Sequence, residues 1–168
     1  MESPCFSCGA VVADCDGPVH PYMASSPGCW AAFGEVLERE YSAAAYAKNH
    51  RLTVDAYAVQ HPGEPSPQSV RSVALHLVSL HLVLERGVAH AHATRVLQAA
   101  SRESPAFYRL VPPASLGTVT VRDVLDGRSA EEHLHAVARW AESAWLAWAD
   151  WHDQVAAWAQ SLLRHGAR

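Results

Sequence analysis

The sequence predicts a mainly α protein: a helical bundle carrying an irregular N-terminal segment. Three observations carry this. Apolar residues recur at helical spacing behind Ser or Thr caps in several segments. The first 26 residues are rich in Cys, Gly, Pro and Ser and show no helical period. Only "GTVTV" reads as a possible strand. The chain has 168 residues, a length that suits one domain over 1–168 with one hydrophobic core, divided into the irregular segment 1–26 and the bundle 27–168.

The elements follow in order. Ser26 can cap a first helix and Pro27 suits its first position, where a missing N–H costs nothing. Trp30, Phe33, Val36 and Leu37 supply its apolar stripe, which fades near Tyr41. A short helix is expected from a Thr53 cap to Gln60, stopped by His61-Pro62-Gly63. Ser66-Pro67 repeats the start signal for "QSVRSVALHLVSLHLVLERG", apolar almost all round and therefore central, with Gly87 as its stop. A helix over Ala89–Ser101 comes next, then an extended connection marked by Pro105, Pro112 and Pro113. Thr120 caps one or two turns in "TVRDVLDG". Ser129 and Glu132 match a capping box for a last helical stretch to about Arg164, which Asp150 can divide in two.

Composition narrows the function. Hydrophobic residues make up 49% and charged residues 18%, with a formal net charge of −4. A weakly acidic chain whose only lysine is Lys48 is a poor nucleic-acid binder. No apolar run approaches the roughly 18–20 residues that span a bilayer, and no basic-then-apolar leader opens the chain, so neither membrane insertion nor secretion is expected. A cytoplasmic location follows. In a reducing cytoplasm, clustered cysteines are metal ligands or redox groups rather than a disulfide frame.

All four cysteines precede Trp30. Cys5-x2-Cys8-Gly9 has the form of a zinc knuckle: two thiolates grip one ion and the glycine lets the backbone turn behind them. With His20 and Cys29 the spacing becomes C-x2-C-x11-H-x8-C, a site of three thiolates and one imidazole for Zn. Cys15 competes for the fourth place. His20 is favoured because Pro18 and Pro21 hold it, whereas Cys15 lies between two aspartates that disfavour another thiolate. Cys29 falls in the first turn of helix one, where the helix dipole favours a thiolate. A redox dithiol would sit at a helix start in a βαβ setting, which is lacking. "PCFSC" matches half of a zinc-deaminase signature, but the H-x-E half has no place upstream, which excludes deamination.

The chain has eleven histidines. His76 and His81 are about 140° apart on a helix, and His90/His92 and His133/His135 about 200°, so none of these pairs forms an i, i+4 clip. Asp55, His61 and His76 are candidate catalytic residues. His61 ends a helix, His76 interrupts an apolar one and needs a partner, and Asp55 shares the segment of His61. Together with His152 they would make an acid/base or second metal site if they converged. Trp140, Trp145, Trp148 and Trp151 are read as packing for the last helix.

The strings "CFSCG", "DGPVHPYMASSPGCW", "HRLTVDAYAVQHPG", "SVALHLVSLHLVLERG" and "WAESAWLAWADWH" together resemble a bacterial family known as domain of unknown function 5946. The resemblance spans nearly the whole chain and implies a small, cytoplasmic, bacterial and in particular actinobacterial protein. It implies that the Cys5, Cys8, His20 and Cys29 positions belong to the family pattern while the Cys15 position varies. It further implies that Asp55, Gln60, His61 and His76 belong to that pattern. The family often shows two adjacent histidines near His152, where this chain has Trp151 in the first place.

Two functions follow from the residues. One is a zinc-dependent enzyme acting on a small-molecule substrate by hydrolysis, elimination or group transfer, with the metal activating a water and His61 or Asp55 moving protons. The other is a non-enzymatic interaction or scaffold protein whose zinc is structural. A closed site of three cysteines and one histidine argues for the second.

Overall fold

The structure is a computed structural model and describes residues 1–102 and 106–165; Pro105 therefore lies outside the described residues. Among the described residues, seven α-helices, one two-stranded sheet and short 3₁₀ and π turns make up the regular structure.

The chain opens with a hairpin where the sequence predicts irregular backbone. Strands β1 (Glu2–Pro4) and β2 (Val11–Ala13) pair antiparallel, with Pro4 opposite Val11. Each strand has three residues and one contains proline, too short for an alternation to show. The turn between them carries Cys5 and Cys8. Its backbone closes through Cys5 N–H to Ala10 O at 2.8 Å and Gly9 N–H to Cys5 O at 2.9 Å. Gly9 has φ +77°, the left-handed conformation that a side chain disfavours.

Helix α1 (Pro27–Ser42) starts as expected: Pro27 occupies the first turn and Ser26 Oγ accepts the Cys29 N–H at 3.3 Å. Its first turn lies against the hairpin. Gly28 is required there, because a Cβ would come within 2.1 Å of Ala13 O. Helix α2 (His50–Gln60) begins earlier than Thr53. The chain enters it through a 3₁₀ turn at Ala47–Asn49, and the Thr53 hydroxyl, instead of capping, donates to buried Glu40 Oε1 at 2.5 Å. His61 leaves α2 with φ −128° and ψ 57°, which breaks the helix as predicted.

Helix α3 (Pro67–Leu80) carries a reciprocal cap between Ser66 and Ser69, then widens into a π-helical turn at His81–Glu85 that stops at Gly87. Helix α4 (His90–Arg102) follows the expected bounds closely. Helix α5 (Val121–Leu125) is capped by Thr120, whose backbone amide in turn bonds Asp123. The "GTVTV" stretch pairs with no strand. Its Thr118 and Val119 amides donate to Ser143 Oγ at 2.9 and 3.2 Å, so a helix side chain takes the place of a neighbouring strand.

Helices α6 (Ala130–Ala147) and α7 (His152–His165) are separate, joined by a 3₁₀ turn at Ala149–Trp151. Ser129 caps α6, but the Glu132 carboxylate accepts the Arg128 amide, one residue before the box position. Helix α2 is the central element and packs on both α3 and α6. One cluster of buried apolar residues runs from Cys5 and Val12 in the hairpin to Leu162 in α7. Trp140 and Trp148 are fully buried within it. Both indole N–H groups bond to the end of α2, Trp140 to Gln60 Oε1 at 2.7 Å and Trp148 to Val59 O at 3.1 Å. The tryptophans thus pack and also position the residues next to His61.

Candidate metal centre

Cys5, Cys8, Cys29 and His61 come together at the meeting point of the hairpin turn, the start of α1 and the end of α2. Their four donor atoms lie within 4.8 Å of one another and all four residues are buried. The Cys8 and Cys29 sulfurs are 3.7 Å apart. His61 Nε2 is 3.8 Å from Cys5 Sγ and 3.4 Å from Cys29 Sγ. In a tetrahedron with bonds of about 2.3 Å to sulfur and about 2.05 Å to nitrogen, the S···S edge is about 3.8 Å and the S···N edge about 3.6 Å. Three of the six donor–donor separations match the edges of such a tetrahedron and all lie within 4.8 Å, so the residues present fit a metal ion.

Each donor is held from its own element. Cys5 and Cys8 sit on the turn that Gly9 closes, and Cys29 sits in the capped first turn of α1. His61 Nδ1 donates to Tyr57 O at 2.6 Å, one turn earlier in α2, which leaves the Nε2 lone pair facing the sulfurs. Gln60, the residue before, is fixed on three sides. Its amide donates to Leu116 O and Val119 O at 3.0 and 2.9 Å, its side-chain oxygen accepts from Trp140, and its backbone carbonyl accepts from Ser7 of the hairpin turn at 2.9 Å. Pro62, the residue after, bridges to Met23.

The electrostatics agree with the geometry. Hydrogen bonds from Cys29 and Cys8 pull the Cys5 thiol pKa down despite burial. Hydrogen bonding to Cys5 and Cys8, with burial, pushes Cys29 up. Three thiolates together in a buried group require a positive centre.

The position of His20 is a correction. Predicted as the fourth ligand, it lies outside the cluster, and His61 stands in its place. The His20 ring packs edge-on against Tyr22 (4.3 Å between centroids) and beside Trp30 (5.3 Å), and Nδ1 accepts the Tyr22 amide at 3.4 Å. Burial lowers its pKa. The prolines around it hold a packing residue instead of a ligand. Cys15 is exposed and also outside the cluster.

The catalytic candidates separate. His61 belongs to the metal centre. Asp55 and His76 do meet: His76 Nδ1 is 2.7 Å from Asp55 Oδ1. The same buried carboxylate accepts from Arg51 Nε at 3.1 Å, Arg51 Nη2 at 2.5 Å and Ser79 Oγ at 2.5 Å. His152 joins neither group; it stacks on Trp145 at 3.7 Å and bonds Trp145 O at 3.0 Å.

A third polar cluster escaped sequence reasoning. Glu40 of α1, almost fully buried, accepts from Thr53 at 2.5 Å, His50 at 2.6 Å and His133 of α6 at 3.1 Å. Burial pushes its pKa up, but the hydrogen bonds from His133, His50 and Thr53 outweigh this and hold the carboxyl below its ordinary value. A Glu every few residues on a helix looks solvent-facing in sequence. Only its coincidence with the polar residues His50, Thr53 and His133 hints at a shared interior site.

Fold and site together define a helical protein with a buried group of three cysteines and one histidine that could hold a metal ion. Residues 3–149 match DUF5946, a family of unknown function, and the chain belongs to that family. No curated protein and no solved structure matches it. No helix among the described residues is long and apolar enough to cross a membrane.

Proposed function

We propose that the protein is a zinc-binding helical module in which zinc is structural and serves an interaction or scaffold role. Cys5, Cys8, Cys29 and His61 hold one ion that ties the hairpin to the start of α1 and the end of α2. The observation that supports this is the gathering of four buried donor atoms within 4.8 Å, three of whose separations, 3.4–3.8 Å, match edges of a four-ligand tetrahedron. Three thiolates and an imidazole suit zinc and do not suit magnesium or calcium, which take oxygen ligands. Four buried protein ligands leave zinc no open position for a water or substrate, so the chemistry this ion supplies is cross-linking, not bond activation. A reducing bacterial cytoplasm is the compartment in which such thiolates stay available to metal. The expected result is about one zinc per purified chain, with chelation lowering the melting temperature, because the binding energy is folding energy. A fully folded, metal-free protein isolated without chelator rejects this reading.

A second reading, an enzyme acting on a small molecule, draws on the Asp55–His76 pair alone. Asp55 is fully buried and takes the Nδ1 proton of His76, whose side chain is 17% exposed. Nε2 makes no hydrogen bond among the described residues. A carboxylate that orients an imidazole this way prepares Nε2 to accept a proton. If screening of hydrolase and lyase substrates finds turnover, His76→Gln abolishes it while zinc content stays unchanged. Turnover that survives the substitution rejects the reading.

A further inference from the structure

We infer that Tyr57 is the positioning residue of the metal centre, setting both the orientation of His61 and the electron density on Cys29. This rests on the zinc reading above. One residue makes three separate contacts with the centre. Its carbonyl accepts the His61 Nδ1 proton at 2.6 Å. Its ring stacks on the His61 imidazole, centroids 4.0 Å apart and 28° between planes. Its hydroxyl lies 3.8 Å from Cys29 Sγ, with the O–H as donor.

The helix makes these contacts possible. Tyr57 precedes His61 by one turn, and side chains on a helix lean toward its N-terminus, so the imidazole folds back over Tyr57. Phe33 of α1 backs the tyrosine ring from the other side at 3.9 Å, nearly parallel, which leaves the ring one position. Tyr57 is fully buried. A phenol keeps its proton at neutral pH, so the hydroxyl is a donor.

The charge balance gives this donor its value. Three thiolates and one divalent ion leave a net charge of −1 in a buried site. In a low-dielectric interior, hydrogen bonds to that charge are stronger than in water. Donors to the sulfurs are few. Ser26 N–H reaches Cys5 Sγ at 3.5 Å. For Cys29 the Tyr57 hydroxyl is the only donor among the described residues other than the ligands themselves. The O–H draws electron density from the sulfur.

The test loads cobalt(II) into the intact wild-type chain and into Tyr57→Phe, which keeps the carbonyl and ring and removes only the hydroxyl. Both proteins should show tetrahedral cobalt bands. In Tyr57→Phe the thiolate-to-cobalt charge-transfer band should move to lower energy, and zinc affinity by chelator competition should fall about tenfold. An unchanged band and affinity would overturn the inference and leave Tyr57 a packing residue. Incorporation of 3-fluorotyrosine at position 57 provides a second arm that keeps the shape and strengthens the donor. It should move the band to higher energy, and a band that does not move counts against the inference even if Tyr57→Phe folds poorly. A wild-type chain that takes up no cobalt overturns the metal centre itself, an outcome visible before any substitution.

Discussion

Two of the buried polar sites to which helix α2 contributes are satisfied in different ways. At Asp55 a carboxylate meets four donor atoms from Arg51, His76 and Ser79, between 2.5 and 3.1 Å. At its C-terminal end, three thiols and the Nε2 of an imidazole meet chiefly one another; the sulfurs take further contacts from the Ser26 and Ala10 backbone and the Tyr57 hydroxyl. A buried anion with enough donors is complete within the protein. A group of four soft donors with almost no acceptor or donor of their own is completed only by a cation. The difference separates a hydrogen-bonded network that joins α2 to α3 from a candidate metal site where the hairpin turn, the start of α1 and the end of α2 meet.

Removing a ligand breaks that comparison most severely. Cys29→Ala should abolish stoichiometric zinc binding and cost roughly 3 kcal/mol or more, a fraction of the ~10–16 kcal/mol that structural zinc supplies in small domains. Denaturant unfolding with metal analysis reads both. Asp55→Asn should also destabilise, by about 3 kcal/mol, because it leaves Arg51 without its ion partner, yet zinc content should stay near one per chain. Zinc loss in Asp55→Asn as large as in Cys29→Ala would show that the two sites are one. Gly28→Ala places a Cβ against Ala13 O and should cost about 1–3 kcal/mol, with zinc released at lower chelator concentration as the hairpin is pushed from α1.

The smallest effect concerns pH. The Glu40 carboxyl is held below its ordinary value of 4.5. A group with a depressed folded pKa stabilises above the unfolded value and loses that contribution as pH falls through the folded one. Wild type should therefore lose stability from just above pH 4.5 downward, and Glu40→Gln should show a shallower loss over the same window. Equal slopes for the two proteins would show that His133, His50 and Thr53 do not stabilise the charged form.

Much of this was legible in the sequence because it is local. Ser26, Ser66, Thr120 and Ser129 cap the helices they precede, and Gly87 ends the one it follows. Cys5, Cys8 and Cys29 are recognisable because two share a knuckle and the third falls in a helix first turn. His61 as a ligand was not legible, since it lies 32 residues beyond Cys29 and reaches the site only through the packing of α2 on α1. A histidine at a helix stop, just before Pro62-Gly63, and its place in the family pattern were its sequence signals, and neither points to a ligand. His20 was nearer in sequence and framed by prolines, but proline fixes the backbone without deciding where a side chain points. Thr53 misled for a related reason. A threonine between polar and apolar residues reads as a cap, whereas its hydroxyl is committed to Glu40 from another helix.

The most direct test compares zinc content in purified His61→Ala and His20→Ala. Loss of zinc in His61→Ala with about one zinc per chain retained in His20→Ala is the predicted result. Retention in His61→Ala with loss in His20→Ala would contradict it.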